Sequence, residues 1–139
     1  MSEIPSPTLT AYLETDYRVF SEPPFALCIG AASETLLKLY CQYGADCATF
    51  VTACNPYSQQ VEAAANAARQ AELESELKQR GLKFIAGEGR HPAGGWPAEA
   101  SFLVLGISRE EAMDLGRRYE QNAVVWCGAD AVPELVLLR

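Results

Sequence analysis

Two stretches of this chain carry residue types that bind or transform small molecules. The first is Thr52-Ala53-Cys54-Asn55-Pro56-Tyr57-Ser58, followed by Asn66 and Arg69. The apolar segment CATFVTAC delivers it to the expected start of a helix. Unpaired backbone N–H groups and the helix dipole there favour an anion or a carbonyl oxygen. Thr52 and Asn55 would add a hydroxyl and an amide, and Asn66 and Arg69 would point toward the same space from the helix. A plainer reading stands beside this one: Asn55-Pro56 makes a turn, Ser58 caps, and Arg69 packs its stem.

The second stretch gathers Glu88, Arg90, His91, Trp96 and Glu99, with Ser101 just beyond. Carboxyl groups and the chain's single histidine suit general acid–base chemistry, and an indole suits stacking on a ring. Glu99 is the first choice for the acid–base role, with Glu88 beside it. Arg69 or Arg90 would pair with an anion through charge-assisted hydrogen bonds. Gln121, at a helix-to-strand junction, would either project into the same pocket or simply end the helix. A lone histidine in a loop is more often surface, and a loop tryptophan more often an anchor. One histidine with dispersed carboxylates lacks metal-ligand spacing, so no metal is expected. GxGxxG after a strand, GxxxxGK[ST], GxSxG and HExxH are all missing from the sequence, which leaves no cofactor to expect.

These residues need elements to hold them. Residues 1–10 read as a disordered lead-in, with Pro5 and Pro7 opposing an early helix. Residues 16–20 and 25–29 read as strands separated by Pro23-Pro24. Ser33 caps a first helix that Gly44 ends. CATFVTAC lacks alternation, as a strand buried on both faces does. A long helix should run from about Gln59 to Arg80, capped by Ser58 and closed by Gly81. Leu82 to Ala86 is a strand, GEGRHPAGGWPAEA a long irregular loop, and SFLVLG another strand. Ser108 and Glu111 form a capping box opening a third helix with the stripe Ala112, Leu115 and Tyr119. AVVWC and ELVLL are the last strands. The pattern predicts an α/β fold: a single domain over 11–139 with a mixed β-sheet covered by about three helices.

Composition narrows the function classes. Hydrophobic residues make up 49% and charged residues 21% of 139 residues, which is globular rather than disordered. No apolar run approaches the roughly 20 residues that cross a bilayer, and the N-terminus lacks a secretory pattern. The net charge is −7 and the 11 basic residues are scattered, so long nucleic acid and anionic membranes are poor partners. Five cysteines without a CxxC pair suggest buried, reduced thiols and a cytoplasmic protein.

As an ordered set, several motifs resemble a known family. They are Thr52-Ala-Cys-Asn55-Pro56-Tyr-Ser58, Asn66, Leu73 and Leu77; then Gly87-Glu-Gly-Arg90 and Trp96-Pro-Ala-Glu99-Ala-Ser101-Phe102; and finally Gln121-Asn122-Ala-Val-Val. Together they resemble DUF3293, a family of small bacterial proteins, over a span from about Tyr17 to Leu137. The resemblance names relatives and implies no activity. Cys54 stands where a bulky residue is expected in relatives and His91 where an acid is, which argues against either as a catalyst.

Two functions fit these readings. One is a site for a small anionic or nucleotide-like metabolite, with hydrolase-type chemistry as its extension. It requires the Asn55 turn and the Glu99 segment to share one cleft. The other is a protein-interaction or regulatory module without chemistry, presenting the glycine-rich loop and Trp96 to a protein partner. The oligomeric state is left open.

Overall fold

The computed structural model describes residues 4–93 and 97–139. The elements are α1 (Ser6–Glu14), β1 (Asp16–Val19), β2 (Phe25–Leu27), α2 (Glu34–Tyr43), β3 (Ala48–Val51) and α3 (Ala63–Gln79). They continue with β4 (Lys83–Arg90), β5 (Glu99–Leu105), α4 (Arg109–Arg118), β6 (Ala123–Cys127) and β7 (Pro133–Leu137). The strands form one sheet in the order β2-β1-β4-β5-β3-β6-β7.

The sheet is covered on both faces. On one, Leu36, Leu39 and Tyr40 of α2 pack with Phe50, Leu103 and Val125. On the other, Leu73 and Leu77 of α3 and Leu115 of α4 pack with Val51, Val104 and Val124. Successive side chains of β5 serve opposite faces, Leu103 and Leu105 one core, Phe102 and Val104 the other, as the period of two requires. All four residues of β3 are buried, which explains its unalternating sequence. Among the described residues no helix is long and apolar enough to cross a membrane.

The α/β class holds, and so do most caps. Ser33 accepts the Leu36 N–H at 3.1 Å, and Gly44 closes α2 at φ 66°. Ser108 and Glu111 complete the capping box of α4. Three details differ from the sequence reading. Each pairing in the sheet is antiparallel, not mixed, and β4 and β5 form a long hairpin. The expected loop therefore shrinks: Gly87 to Arg90 and Glu99 to Ala100 lie in paired strands. Residues 6–10 are helical rather than part of a disordered lead-in. Pro5 is the N-cap of α1 and Pro7 sits in its first turn, where the missing N–H would have no helical partner anyway. Finally, α3 begins at Ala63 after Glu62 and is not capped by Ser58.

The late start of α3 follows from the backbone before it. Asn55, Tyr57 and Ser58 have φ values of 48°, 51° and 59°, a left-handed run that cannot feed a right-handed helix. Arg69 of α3 then ties the helix to this segment and to α4. Its Nε donates to the Ala53 carbonyl and its Nη2 to the Tyr119 carbonyl, each at 2.6 Å, and its Nη1 lies 3.3 Å from Glu120. One turn or two further along, Glu76 receives Arg118, Tyr119 and Arg80. Burial works to raise the Glu76 pKa, but hydrogen bonds from Arg118 and Tyr119 outweigh it and hold the carboxyl below its ordinary value of 4.5.

Replacing Arg69 by Ala leaves the Ala53 carbonyl without its side-chain donor and the Tyr119 carbonyl with Gln121 alone, and chemical denaturation should show a loss of about 2 kcal/mol. Arg69→Lys should recover little, since an ammonium cannot span both carbonyls with a planar fork. Because the folded pKa of Glu76 is depressed, its stabilisation is present above the ordinary carboxylate range and lost as pH falls through the folded value. Wild-type stability should therefore drop more steeply below pH 4.5 than that of Glu76→Gln, measured by urea unfolding across pH.

Candidate functional site

The face of the sheet that α2 covers is only partly filled by that helix. Next to it α1 lies over the sheet, and a cavity of about 310 Å³ separates the two. Its floor exists because β4 presents glycines there. Gly89 pairs with Tyr17 on one side and Glu99 on the other, so an aromatic ring and a carboxylate flank a position with no side chain. Gly87, two residues back on the same face, is required for a different reason. A Cβ there would collide with the Arg18 carbonyl and come within 3.1 Å of the Phe50 ring.

Besides His91, six residues named from sequence line this cavity: Thr52, Asn55, Ser58, Glu99, Ser101 and Gln121. They arrive from four directions. Thr52 and Asn55 follow the end of β3, Ser58 comes from the left-handed run, Glu99 and Ser101 from β5, and Gln121 from the turn before β6. The Asn55 turn and the Glu99 segment are in direct contact: Asn55 Nδ2 donates to Glu99 Oε2 at 2.6 Å.

Asn55 is only 6% exposed, and its amide is closely engaged. Its Oδ1 accepts from Asn66 Nδ2 at 2.9 Å and from the Val61 N–H at 3.2 Å. Its own N–H donates to Asn66 Oδ1 at 2.8 Å. Asn66 therefore acts on the site through Asn55 and is not a lining residue. The helix-entrance anion site expected at Asn55 is absent. The nearby N–H is taken by Asn66, and α3 starts eight residues later.

The remaining expected residues lie elsewhere. Arg69 is the brace already described. Glu88 sits one residue before Gly89 on β4, so it faces the opposite side of the sheet from Glu99. There it lies 4.0 Å from Arg18 and 3.9 Å from Arg90. Glu88 and Glu99 thus form no acid–base pair, and Arg90 is exposed on that other face. Trp96 lies outside the described residues. Among the described residues no lysine or arginine lines the cavity.

Sequence reading missed the wall supplied by α1 and β1. Tyr12 shares a hydrogen bond with Ser58, and Asn122 Nδ2 donates to both hydroxyls, at 3.1 and 3.3 Å. Tyr17 donates its hydroxyl to the Tyr12 carbonyl at 2.5 Å, and burial pushes its pKa well up. Its ring meets Phe50 edge to face at 5.3 Å. His91, read as surface, lines the opening and stands 3.0 Å from Glu14 of α1. The signal for this wall was the alternation Gly87-Glu88-Gly89, which places both glycines on one strand face once β4 is extended.

The cysteines do not form a chemical centre. All five are free. Cys54 and Cys127 are buried as expected, while Cys28 and Cys41 are exposed. Burial raises the Cys54 thiol pKa, which makes it a poor nucleophile.

Comparison with known proteins adds one match. No curated protein and no solved structure matches the chain. A family profile does, over residues 51–124, a shorter span than the motifs suggested but one that holds all six lining residues named from sequence. It covers more than half of the sequence, and the chain belongs to the family described as Protein of unknown function (DUF3293).

Proposed function

We propose that this protein binds a small molecule in the cavity between α1 and the sheet, with Glu99 as its polar anchor. The observation that carries this reading is the convergence of polar side chains from separate elements on one concave space. A volume of about 310 Å³ is at the lower end of the range for small-molecule sites, and apolar walls with a few placed polar groups are their usual chemistry. The apolar walls here are Phe50, Val125, Leu135 and Ala123.

Backbone conformation supports the same reading. Left-handed φ values at Tyr57 and Ser58 each cost on the order of 1–3 kcal/mol, and such costs concentrate at ligand sites. Bonds from the Tyr57 N–H to the Glu120 carbonyl at 2.6 Å and from the Ser58 N–H to the Asn55 carbonyl at 2.9 Å hold the segment. The result is a Ser58 hydroxyl aimed at the Tyr12 hydroxyl across the cavity rim. Glu99 is the one carboxylate among the described lining residues. Any proton transfer to a bound ligand would fall to it, with His91 at the opening. A protein-docking reading has less support: the large exposed apolar residues Leu13, Phe20, Leu37, Tyr57, Val61 and Leu137 are spread along the chain, and only Tyr57 and Val61 share a segment.

Gly89 gives a direct test. A Cβ there would meet only Thr15 Cγ2, at 3.7 Å, an ordinary contact. Gly89→Val should fold with stability equal to wild type or about 1 kcal/mol above it, as cavity filling and β-propensity allow. It should also lose the melting-temperature rise that ligands from a metabolite library give the wild type. Hits that stabilise Gly89→Val and wild type equally would place binding elsewhere and sink the proposal.

A further inference from the structure

The open hydrogen-bonding positions of the cavity name the class of ligand, on the premise that the cavity is a ligand site. We propose that it takes a planar amide, a carboxamide or lactam, on an apolar body. The amide oxygen meets the Tyr12–Ser58 hydroxyl pair, and the amide N–H meets Gln121 Oε1.

Most polar groups of the walls are already engaged. Thr15, Tyr17, Thr52 and Ser101 donate their hydroxyls to backbone carbonyls. Glu99 Oε2 receives Asn55 Nδ2, which keeps one hydrogen over. His91 uses both ring nitrogens: Nδ1 accepts the Ala93 N–H at 3.2 Å, so Nε2 carries the hydrogen toward Glu14. The Thr8 hydroxyl has no partner among the described residues. It donates or accepts equally well, so it selects neither.

Two positions remain that do select, and the first is the hydroxyl pair. Asn122 is 3% exposed, and Arg139 Nη1 on its oxygen at 3.1 Å orients its amide. Its nitrogen then gives one hydrogen to each hydroxyl, Tyr12 at 3.1 Å and Ser58 at 3.3 Å. Tyr12 and Ser58 bring two hydroxyl hydrogens, and the bond between them uses one. Whichever oxygen donates, the other hydroxyl keeps a hydrogen for a ligand acceptor.

The second position is Gln121, which is 8% exposed. Both its amide hydrogens go to backbone carbonyls, Cys54 at 3.0 Å and Tyr119 at 3.1 Å. The nitrogen end is therefore fixed, and Oε1 faces away from those carbonyls. That oxygen has no partner among the described residues, where Gln70 Nε2 is the only sealed-off polar side-chain atom lacking one. Gln121 Oε1 is thus accessible, and the space its residue lines is the cavity. A nearly buried carbonyl oxygen left open calls for a donor.

Both positions belong to one seam. Residues 54–58 and 120–122 are stitched by the Tyr57 N–H on the Glu120 carbonyl, Gln121 on Cys54, and Asn122 on Ser58. An amide answers both positions with a single planar group, its oxygen accepting and its N–H donating. β6 leaves this seam, and Val125, paired with Phe50 and Leu135, gives the apolar wall for the rest of the ligand.

The test is a series of near-isosteres titrated into the full chain. Phenylacetamide carries both functions, phenylacetone keeps the carbonyl but replaces the NH2 by methyl, and isobutylbenzene lacks both. Each step down the series should weaken binding about 3- to 10-fold, the range for one neutral hydrogen bond. The paired variant Tyr12→Phe with Ser58→Ala should weaken amide and ketone alike by that factor and leave isobutylbenzene unchanged. If the paired variant does not fold, the wild-type series decides alone. Ketone binding as tightly as the amide, hydrocarbon as tightly as the ketone, equal weakening of all three by the variant, or an amide that does not bind overturns the assignment. The cavity reading outlives that result where another compound binds and Gly89→Val abolishes it. Where no compound responds to Gly89→Val, both fall.

Discussion

The Asn55 side chain is the joint on which this molecule's candidate site depends. A buried amide must find partners for its oxygen and nitrogen, and Asn55 finds them on three different segments. Its nitrogen reaches Glu99 on β5, and its oxygen takes Asn66 on α3 and the Val61 N–H in the connection between. The left-handed backbone at Asn55 is one that asparagine tolerates better than most residues. One residue type therefore satisfies a backbone demand and a hydrogen-bonding demand together. With it in place, the carboxylate of Glu99 is oriented, the start of α3 is displaced to Ala63, and Ser58 is carried to the rim.

The cavity itself is made by omission. On the face of the sheet shared by α1 and α2, β4 contributes Gly87 and Gly89 where neighbouring strands contribute Tyr17, Phe50 and Leu103. Gly87 admits the close approach of β1 and the Phe50 ring, so its missing side chain serves packing. Nothing but Thr15 comes near a Cβ at Gly89, so its missing side chain serves space. α1 then roofs that space with no buried residue of its own, held by the Tyr12–Ser58 contact and the His91–Glu14 pair. A roof fixed by a few polar contacts and little buried apolar surface is the kind of element that opens at low free-energy cost.

Much of the fold was legible. Capping residues announce themselves chemically, and Ser33, Gly44, Ser108 and Glu111 all act where they were expected. Buried runs such as CATFVTAC and SFLVLG read as strands, and CATFVTAC as a doubly buried one, for a sound reason: it lacks a polar face. What sequence could not give was pairing direction, since antiparallel and parallel neighbours make the same demand for apolar residues on both faces. The β4–β5 hairpin was hidden by its glycines, which look like a loop until a partner strand orders them. α1 was hidden by Pro5 and Pro7, whose position at a helix start reverses their usual meaning. In the site, Thr52, Asn55, Ser58, Glu99, Ser101 and Gln121 were readable as polar groups beside strand ends. Arg69 and Glu88 misled because their chemistry is the same in a brace or a surface pair as in a pocket. Only the face they occupy distinguishes the roles, and for Glu88 a shift of one residue in register decides that face.

The central claim is that the space under α1 is where a ligand sits, and amide chemical-shift mapping during titration of a metabolite that raises the wild-type melting temperature tests it most directly. The account predicts saturable shifts concentrated at Thr8 and Tyr12, Thr52 to Ser58, Gly89, Ser101 and Ala123 to Val125, with the outer face around Arg90 and Glu88 unmoved. Shifts clustered on that outer face, or spread without saturation over exposed carboxylates, would contradict it.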